Sequence, residues 1–204
     1  MMHSMQADAT ATRRDQRAAE RRSELARTAR ELTIRHGFSG FTVEELCEEV
    51  GISRRTFFNY FPSKEYAIVG RPEEGLDDDS VAEFLTRRPG VSLLEALVAL
   101  GAVHFAAIGL NADSVREFVA VADREPKLLQ ALLDVGTQRD RLVADLVARR
   151  ERLDPADPAV LLAVQTAGTV IRSAVGAYLD SDGSVPLERL AQDRIAAVTR
   201  LLLG

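Results

Sequence analysis

The chain has 204 residues, of which 46% are apolar and 28% charged, a composition that suits a soluble protein with one medium domain or two that share a core. Its formal net charge of -5 excludes binding to polyanions over the whole surface, so any contact with nucleic acid needs a local basic region. The single cysteine, Cys47, excludes an internal disulfide and a cysteine-built metal cluster, and it suits a reducing compartment.

Neither a secretory signal nor a membrane span is expected from the sequence. No apolar segment follows a basic start at the N-terminus. The longest uncharged run, 96–112, is shorter than the roughly 20 apolar residues that a membrane span needs. We therefore expect a cytoplasmic protein without a membrane partner.

The chain begins with an arm and a long helix. Residues 1–12 lack apolar periodicity, which predicts a disordered arm. From residue 14 onward the spacing of Leu25, Ala29 and Leu32 predicts a helix, and Gly37 is a stop signal.

Two short helices around a tight turn are predicted at 42–61. Thr42 and Glu45 have the T-x-x-E spacing of a capping box, in which each side chain satisfies the other residue's backbone N–H, so a helix begins here. Ser53 is placed to cap the second helix. Pro62 ends it, because proline has no backbone N–H and disfavours helical geometry at the preceding residue.

Only helices are predicted beyond this pair. Ser63 is expected to cap another helix, and Ser80 with Glu83, like Ser92 with Glu95, repeats the capping-box spacing. The later helices are expected at 93–109, from Asp113, at 126–152 with a stripe of Leu128, Leu132, Val135, Leu142 and Leu146, at 157–179 and at 187–203. The first of these is largely apolar, which predicts a central buried helix. No strand alternation appears, so the predicted fold class is all-α, with nine or ten helices.

The second helix of the 42–61 pair has the chemistry of a DNA-reading helix. In a helix-turn-helix the second helix enters the major groove and its N-terminal residues reach the base edges. Phe57 and Phe61 are four residues apart and are expected to face inward. The outward residues are then Arg54, Arg55, Thr56, Phe58, Asn59 and Tyr60. Arginine donates paired hydrogen bonds to guanine, and threonine and phenylalanine contact the thymine methyl group.

The segment FTVEELCEEVGISRRTFFNYFPSKEYAI resembles the signature of the TetR family of bacterial transcriptional regulators. The shared motif is a threonine that opens the second helix, G-[IV]-S at the turn, T-[LF]-[YF]-x-[YH]-F in the recognition helix, and S-K-E after it. The resemblance covers roughly residues 17–68. It implies a helix-turn-helix DNA-binding domain at 13–66 and a larger effector-binding and dimerisation domain at 67–204.

The resemblance also implies roles for individual residues. The expected DNA-binding residues are Thr42, Ser53, Arg54, Arg55, Thr56, Phe58, Asn59, Tyr60 and Lys64. Thr42 would hold phosphate, and the two arginines and threonine that open the recognition helix would read bases or adjacent phosphates. Tyr60 and Lys64 would clamp the DNA backbone. Phe58 stands where tyrosine is more usual and is expected to make apolar contact only, and Asn59 is either base-reading or solvated.

An arginine-rich stretch precedes these helices. Arg13, Arg14 and Arg17 would follow phosphates or the minor groove. Because acidic residues are interleaved with the arginines of this stretch, a solvated helix face is the alternative. Cys47 stands where the family usually has a small buried residue, which indicates core packing, with a redox switch as the alternative.

In the C-terminal part, the resemblance implies dimerisation through the last two helices and an internal effector cavity. The helix at 157–179 is rich in alanine and glycine, which serve either the dimer or packing within one chain. Candidate cavity residues are His104, Phe105, Ile108, Gln138, Gln165, Thr169 and Arg172. Arg172 would meet an anionic ligand or pair with an acid across the dimer. Each polar candidate is alternatively a satisfied group of the core or interface.

We therefore expect a dimeric, ligand-responsive repressor that a small-molecule effector releases from an inverted-repeat operator in double-stranded DNA. The alternative is a helical small-molecule-binding or interaction protein with a non-functional DNA head. The three histidines lack metal-ligand spacing, and neither a phosphate loop nor a nucleophile motif appears. No enzyme activity, cofactor or metal is expected.

Overall fold

The computed structural model describes residues 2–202, with side chains for residues 17–201, and every regular element in that part of the chain is helical. The predicted all-α fold class is confirmed. In chain order the helices are α1 (Met2–His36), α2 (Val43–Val50), α3 (Arg54–Tyr60), α4 (Lys64–Val69), α5 (Asp78–Leu85), α6 (Leu93–Ile108), α7 (Ala112–Ala122), α8 (Pro126–Glu151), α9 (Pro158–Asp180) and α10 (Leu187–Leu202).

The chain divides into two compact units. The N-terminal unit consists of the chain up to Gly70 and the segment Val121–Leu132, and the C-terminal unit consists of Arg71–Ala120 and the chain from Leu133 onward. Helix α1 includes residues 2–12, which the sequence assigns to a disordered arm. The domain boundaries expected at residues 12 and 66 stay predictions.

One face of α1 supplies much of the core of the N-terminal unit. Leu25 and Ala29 are fully buried and Leu32 nearly so, as the predicted stripe requires. Leu46 of α2 and Phe57 of α3 are also fully buried, and α1 contacts both α2 and α4. Burial of a large apolar side chain contributes about 1.5–3 kcal/mol. These few side chains therefore account for much of what holds the short helices against α1.

Helix α4 begins at the predicted residue but without the predicted cap. It starts at Lys64, and the side chain of Ser63 makes no capping hydrogen bond. The end of α4 is held from α1, where the buried Arg30 donates from Nε to the carbonyl oxygen of Ile68 at 3.1 Å.

In the C-terminal unit, α5 begins earlier than the sequence predicts. The capping residue is Asp77, whose carboxylate accepts from the backbone N–H of Ser80 at 2.7 Å. Ser80 is the third residue of the helix, and its hydroxyl donates to the carbonyl oxygen of Gly75. The capping box predicted for Ser80 and Glu83 is wrong, because an aspartate three residues upstream competes for the same backbone donor.

Helix α6 begins as predicted but is buried on one side only. Ser92 and Glu95 form the full capping box. Leu97, Val98 and Leu100 are buried, and α6 contacts both α9 and α10. Val103 is 42% exposed, so the prediction of a central buried helix holds for only one side of α6.

Close contact between α6 and α9 depends on a glycine. A Cβ atom added at Gly101 would lie 2.1 Å from Cδ1 of Ile171, far inside the contact distance of two carbon atoms. The Ile171 side chain therefore occupies the space that any larger residue at position 101 would need. Fully buried Val160 and Ala174 lie on the same helix as Ile171 and belong to the same core.

Two side chains secure the loop before α5. Nη1 of Arg139 donates to the carbonyl oxygens of Pro72 and Glu74, each at 2.9 Å. Nδ1 of His104 lies 2.7 Å from the same Glu74 oxygen. Burial lowers the pKa of Arg139 to about 10, which leaves the guanidinium charged at neutral pH. The loop is thereby fastened to α6 and α8.

Helix α9 is the only single helix in the described part of the chain that is long and apolar enough to cross a membrane. Only 28% of its most apolar window is buried within the protein. It contacts α6 and α10, and the core helices of soluble proteins can be equally long and apolar. The length and composition of α9 are weak evidence for a membrane span, but α9 presents apolar surface that the described part of the chain does not cover.

Candidate nucleic-acid interface

The N-terminus of α2 is capped by the predicted capping box. The backbone N–H of Thr42 donates to Oε2 of Glu45 at 2.7 Å, and the backbone N–H of Glu45 donates to Oγ1 of Thr42 at 3.2 Å. The Thr42 hydroxyl also donates to Oε2 of Glu45 at 2.9 Å, and the hydrogen bonds from the Thr42 backbone N–H and hydroxyl lower the pKa of the Glu45 carboxyl group. Both side chains are exposed, so an ionised carboxylate lies beside the hydroxyl that would hold phosphate.

The turn and the start of α3 also follow the prediction. Gly51 has φ 70° and ψ 39°, a left-handed conformation that glycine adopts without strain. Oγ of Ser53 accepts from the backbone N–H of Thr56 at 3.1 Å and lies 2.8 Å from the Thr56 hydroxyl. The two hydroxyl groups satisfy each other while the helix start stays exposed to solvent.

Helix α3 has the two faces that the sequence predicts. Phe57 is fully buried and Phe61 is 3% exposed. Phe58 is 46% exposed, and its ring meets the Phe57 ring edge-on at 5.1 Å between centroids. Asn59 is exposed as well. A large aromatic side chain on the solvent side of a helix is therefore held in place from the core.

The two arginines that open α3 have different surroundings. Nη1 of Arg54 forms an ion pair with Oε1 of Glu44 at 2.9 Å, and its guanidinium lies 5.5 Å from the centre of the Phe58 ring. Arg55 is exposed and forms no ion pair with the side chains of residues 17–201. Arg55 is thus free to approach DNA, whereas Arg54 is already engaged.

Tyr60 and Lys64 are both engaged with other parts of the N-terminal unit. The Arg22 guanidinium of α1 lies 5.7 Å from the centre of the Tyr60 ring. Nζ of Lys64 donates to the carbonyl oxygens of Phe38 and Phe41, at 2.5 and 2.6 Å, and lies over both rings. Burial lowers the pKa of Lys64. Two of its three donors are used, so a phosphate contact stays a prediction with one donor left for it.

Sequence reasoning missed Glu44 and Arg22 as members of this surface. Glu44 lies ten positions before Arg54, and Arg22 lies on a different helix from Tyr60, so no local spacing rule joins these pairs. Of the arginine-rich stretch, Arg17 is exposed, whereas the side chains of Arg13 and Arg14 lie outside the described residues. Cys47 is 4% exposed and burial raises its pKa, which favours core packing over redox chemistry.

The candidate effector residues fall into two groups. His104 and Phe105 are half-buried, and the Phe105 ring packs edge-on against Tyr178 at 5.7 Å. Four candidates are exposed, and three of these form one run along α9, where Arg172 donates to the Thr169 hydroxyl at 3.0 Å. The exposed candidates are Gln138, Gln165, Thr169 and Arg172, and the remaining candidate, Ile108, is half-buried. Their assignment to a cavity stays a prediction.

Two of the concave regions in the described part of the C-terminal unit lie elsewhere. One, of about 690 Å³, lies between α6 and α10 and has an apolar floor that includes Val98, Ala102 and Ile195. The other, of about 110 Å³, lies beside Phe84 and Arg150. None of the seven candidate residues lines either region.

This arrangement of capped helices, left-handed turn and exposed arginines defines a helix-turn-helix protein of the all-α class. Residues 25–66 match the family described as bacterial regulatory proteins, tetR family. The HTH-type transcriptional regulator TcmR of Streptomyces glaucescens is 29% identical over 147 residues, which span 69% of this chain and 65% of TcmR. The resemblance to TetR-family transcriptional regulators that the sequence predicts is confirmed.

Two solved structures share the fold. A TetR-family regulator from Mesorhizobium loti MAFF303099 superposes with a TM-score of 0.50 at 19% identity, covering 91% of this chain and 98% of that one. GusR of Salmonella enterica gives a TM-score of 0.51 at 20% identity, covering 91% and 96%. At these identities the likeness concerns the fold alone, and it extends through the C-terminal helices.

Proposed function

We propose that this cytoplasmic protein is a DNA-binding transcriptional regulator that places α3 in the major groove of double-stranded operator DNA. The observation that carries the proposal is the start of α3, where Arg54, Arg55 and Phe58 are exposed on a helix that Phe57 anchors in the core. Exposed arginines at a helix start match the donors that read guanine, and an exposed phenylalanine suits a thymine methyl group. The proposed contact set includes Thr42, Ser53, Thr56, Asn59, Tyr60 and Lys64.

A homodimer formed through α9 and α10 is the second part of the proposal. Leu161 and Leu162 on α9 are 49% and 60% exposed, and Leu201 on α10 is 75% exposed. A second copy that covers these side chains removes apolar surface from water and places two recognition helices on one DNA. Two related recognition helices require an inverted repeat, with half-sites one helical turn, roughly 34 Å, or a multiple apart.

Release from DNA by a small-molecule effector is the third part. The effector must bind the free and DNA-bound states with different affinity, because equal affinity shifts no equilibrium. His104 is the best-supported candidate contact among the seven, since it is half-buried and fastens the loop that precedes α5. We also propose that the DNA-bound protein represses transcription, because the resemblance to the TetR family implies a repressor.

A salt series with the DNA upstream of the protein's own gene tests the DNA-binding proposal. We expect a sequence-selective complex. The logarithm of its association constant should fall linearly and steeply with the logarithm of the salt concentration. The control is a duplex of the same composition in scrambled order. Equal affinity for the two duplexes at moderate salt would contradict the proposal.

A further inference from the structure

The ion pair between Glu44 and Arg54 joins the two helices of the helix-turn-helix. Glu44 lies in the first turn of α2 and Arg54 is the first residue of α3. Nη1 of Arg54 is 2.9 Å from Oε1 of Glu44, and the two side chains are 66% and 53% exposed. A pair this exposed contributes little to the stability of the fold. Its position on the proposed DNA surface therefore needs another explanation.

Arg54 is also held from its other side. Its guanidinium lies over the ring of Phe58 at 5.5 Å, and that ring packs edge-on against the fully buried Phe57. The direction of the flexible Arg54 side chain is thus fixed by two contacts, one with the Glu44 carboxylate of α2 and one with the anchored Phe58 ring of its own helix, α3. A guanidinium has five N–H donors in a rigid fork, so one contact to Glu44 leaves most of them available.

The charge of the pair bears on what Arg54 can recognise. A lone arginine attracts any phosphate, and phosphate attraction supplies nearly all sequence-independent affinity. The pair of Arg54 and Glu44 has a net charge of zero, so the attraction of Arg54 to phosphates largely disappears. The hydrogen-bonding fork is unchanged, however, and can still address the two acceptors on the edge of a guanine.

We propose that Glu44 is a specificity-determining residue of the DNA interface. It positions Arg54 for a base edge and cancels the charge that would otherwise hold Arg54 to phosphates of any sequence. The inference rests on the proposed DNA-binding function and assigns to α2 a part in reading the bases.

Replacement of the acid by its neutral amide tests the proposal in the full-length protein. We expect Glu44→Gln to raise affinity for a scrambled duplex, to steepen the salt dependence on it by up to about one unit of slope, and to lower the ratio of operator to scrambled affinity by about tenfold. Glu48→Gln is the matched control, because it removes the same charge from α2 and Glu48 forms no ion pair with residues 17–201. Its affinity ratio should stay close to that of the wild type.

A double-mutant cycle shows whether Glu44 acts through Arg54. In an Arg54→Ala background, Glu44→Gln should leave the affinity ratio unchanged. An equal fall in the ratio with and without Arg54, or an unchanged ratio in the single variant, would overturn the inference. Wild-type protein without preference for the operator would instead overturn the proposed function. Thermal unfolding of each variant should match the wild type, since the pair is exposed.

Discussion

Arg55 is the exposed arginine of α3 that no acid in the described part of the chain neutralises. Its neighbour Arg54 is paired with Glu44, so the two arginines offer DNA different chemistry from adjacent positions. An unpaired guanidinium serves a base edge or a phosphate equally well. The distinction between these roles can be made only by comparing DNA sequences.

We predict that Arg55→Ala changes which operator variants are bound, with a loss of about 1–3 kcal/mol at one base position. The measurement is the affinity for a set of duplexes that each differ from the operator at one base pair. A uniform loss over all duplexes would identify Arg55 as a phosphate contact.

We predict that Lys64→Met lowers the free energy of unfolding by about 1–3 kcal/mol, because the carbonyl oxygens of Phe38 and Phe41 lose a charged donor. Urea denaturation measures the change. The matched control is Lys127→Met, at an exposed lysine of the same unit, which should change stability little. If Lys64→Met weakens DNA binding and leaves stability unchanged, phosphate binding is the main role of this lysine.

At the scale of the helices, stability depends on which residue caps each start. Asp77, and not Ser80, caps α5, and the hydrogen bonds from Ser80 lower the pKa of the Asp77 carboxyl group. A carboxyl group with a lowered pKa in the folded state contributes stability that is present above its unfolded value of 3.8 and is lost as the pH falls through the folded value.

We predict that Asp77→Asn keeps the stability at pH 7, because asparagine is an equally good cap, and reduces the loss of stability below about pH 4. Asp77→Ala should lower the free energy of unfolding by about 1 kcal/mol at pH 7. Glu83→Ala, at the partner that the sequence predicts for a capping box, should have a much smaller effect. Denaturant titrations at several pH values test all three, and a large effect of Glu83→Ala would contradict the assignment of the cap.

Helix starts and stops were predictable wherever one local signal acted alone. The capping boxes at Thr42 and Ser92 and the stop before Pro62 involve only neighbouring residues, and the structure has all three. At α5 two candidate caps lie close together, and spacing alone favoured the wrong one. The partners of Lys64 lie 23 and 26 positions away, so they depend on packing that no local pattern encodes.

The buried faces of the C-terminal helices were less predictable, because they too depend on packing between distant parts of the chain. Gln165 and Arg172 interrupt an apolar helix, which suggested an inward cavity, but α6 and α10 pack on the other side of α9 and leave both residues exposed. Leu142 belonged to the predicted stripe of α8 and is 38% exposed. Which side of an apolar helix is buried depends on the neighbours it meets.

At the scale of the whole molecule, the uncovered leucines of α9 provide the test of assembly. We predict that Leu162→Glu converts a dimer into a monomer and lowers operator affinity, because a single recognition helix contacts half of the site. Leu133→Glu is the matched control, since Leu133 of α8 is 59% exposed and Leu162 is 60% exposed. Sedimentation equilibrium measures the oligomeric state of both variants, and titration with operator DNA measures their affinity. A dimer that persists in Leu162→Glu, or equal dissociation in both variants, would contradict the proposed interface.

The contact between Gly101 and Ile171 has a consequence for how this protein can change over evolutionary time. The missing side chain of one residue is the space that the other fills, so the two positions share one volume. A methyl group gained on α6 requires the end of the Ile171 side chain either to rotate away or to be lost, as in Gly101→Ala with Ile171→Val. Gly101→Ala alone displaces the Ile171 side chain and Ile171→Val alone leaves a void, whereas the pair together favours the present separation of the two helices. We therefore expect substitutions at these two positions to be correlated among relatives.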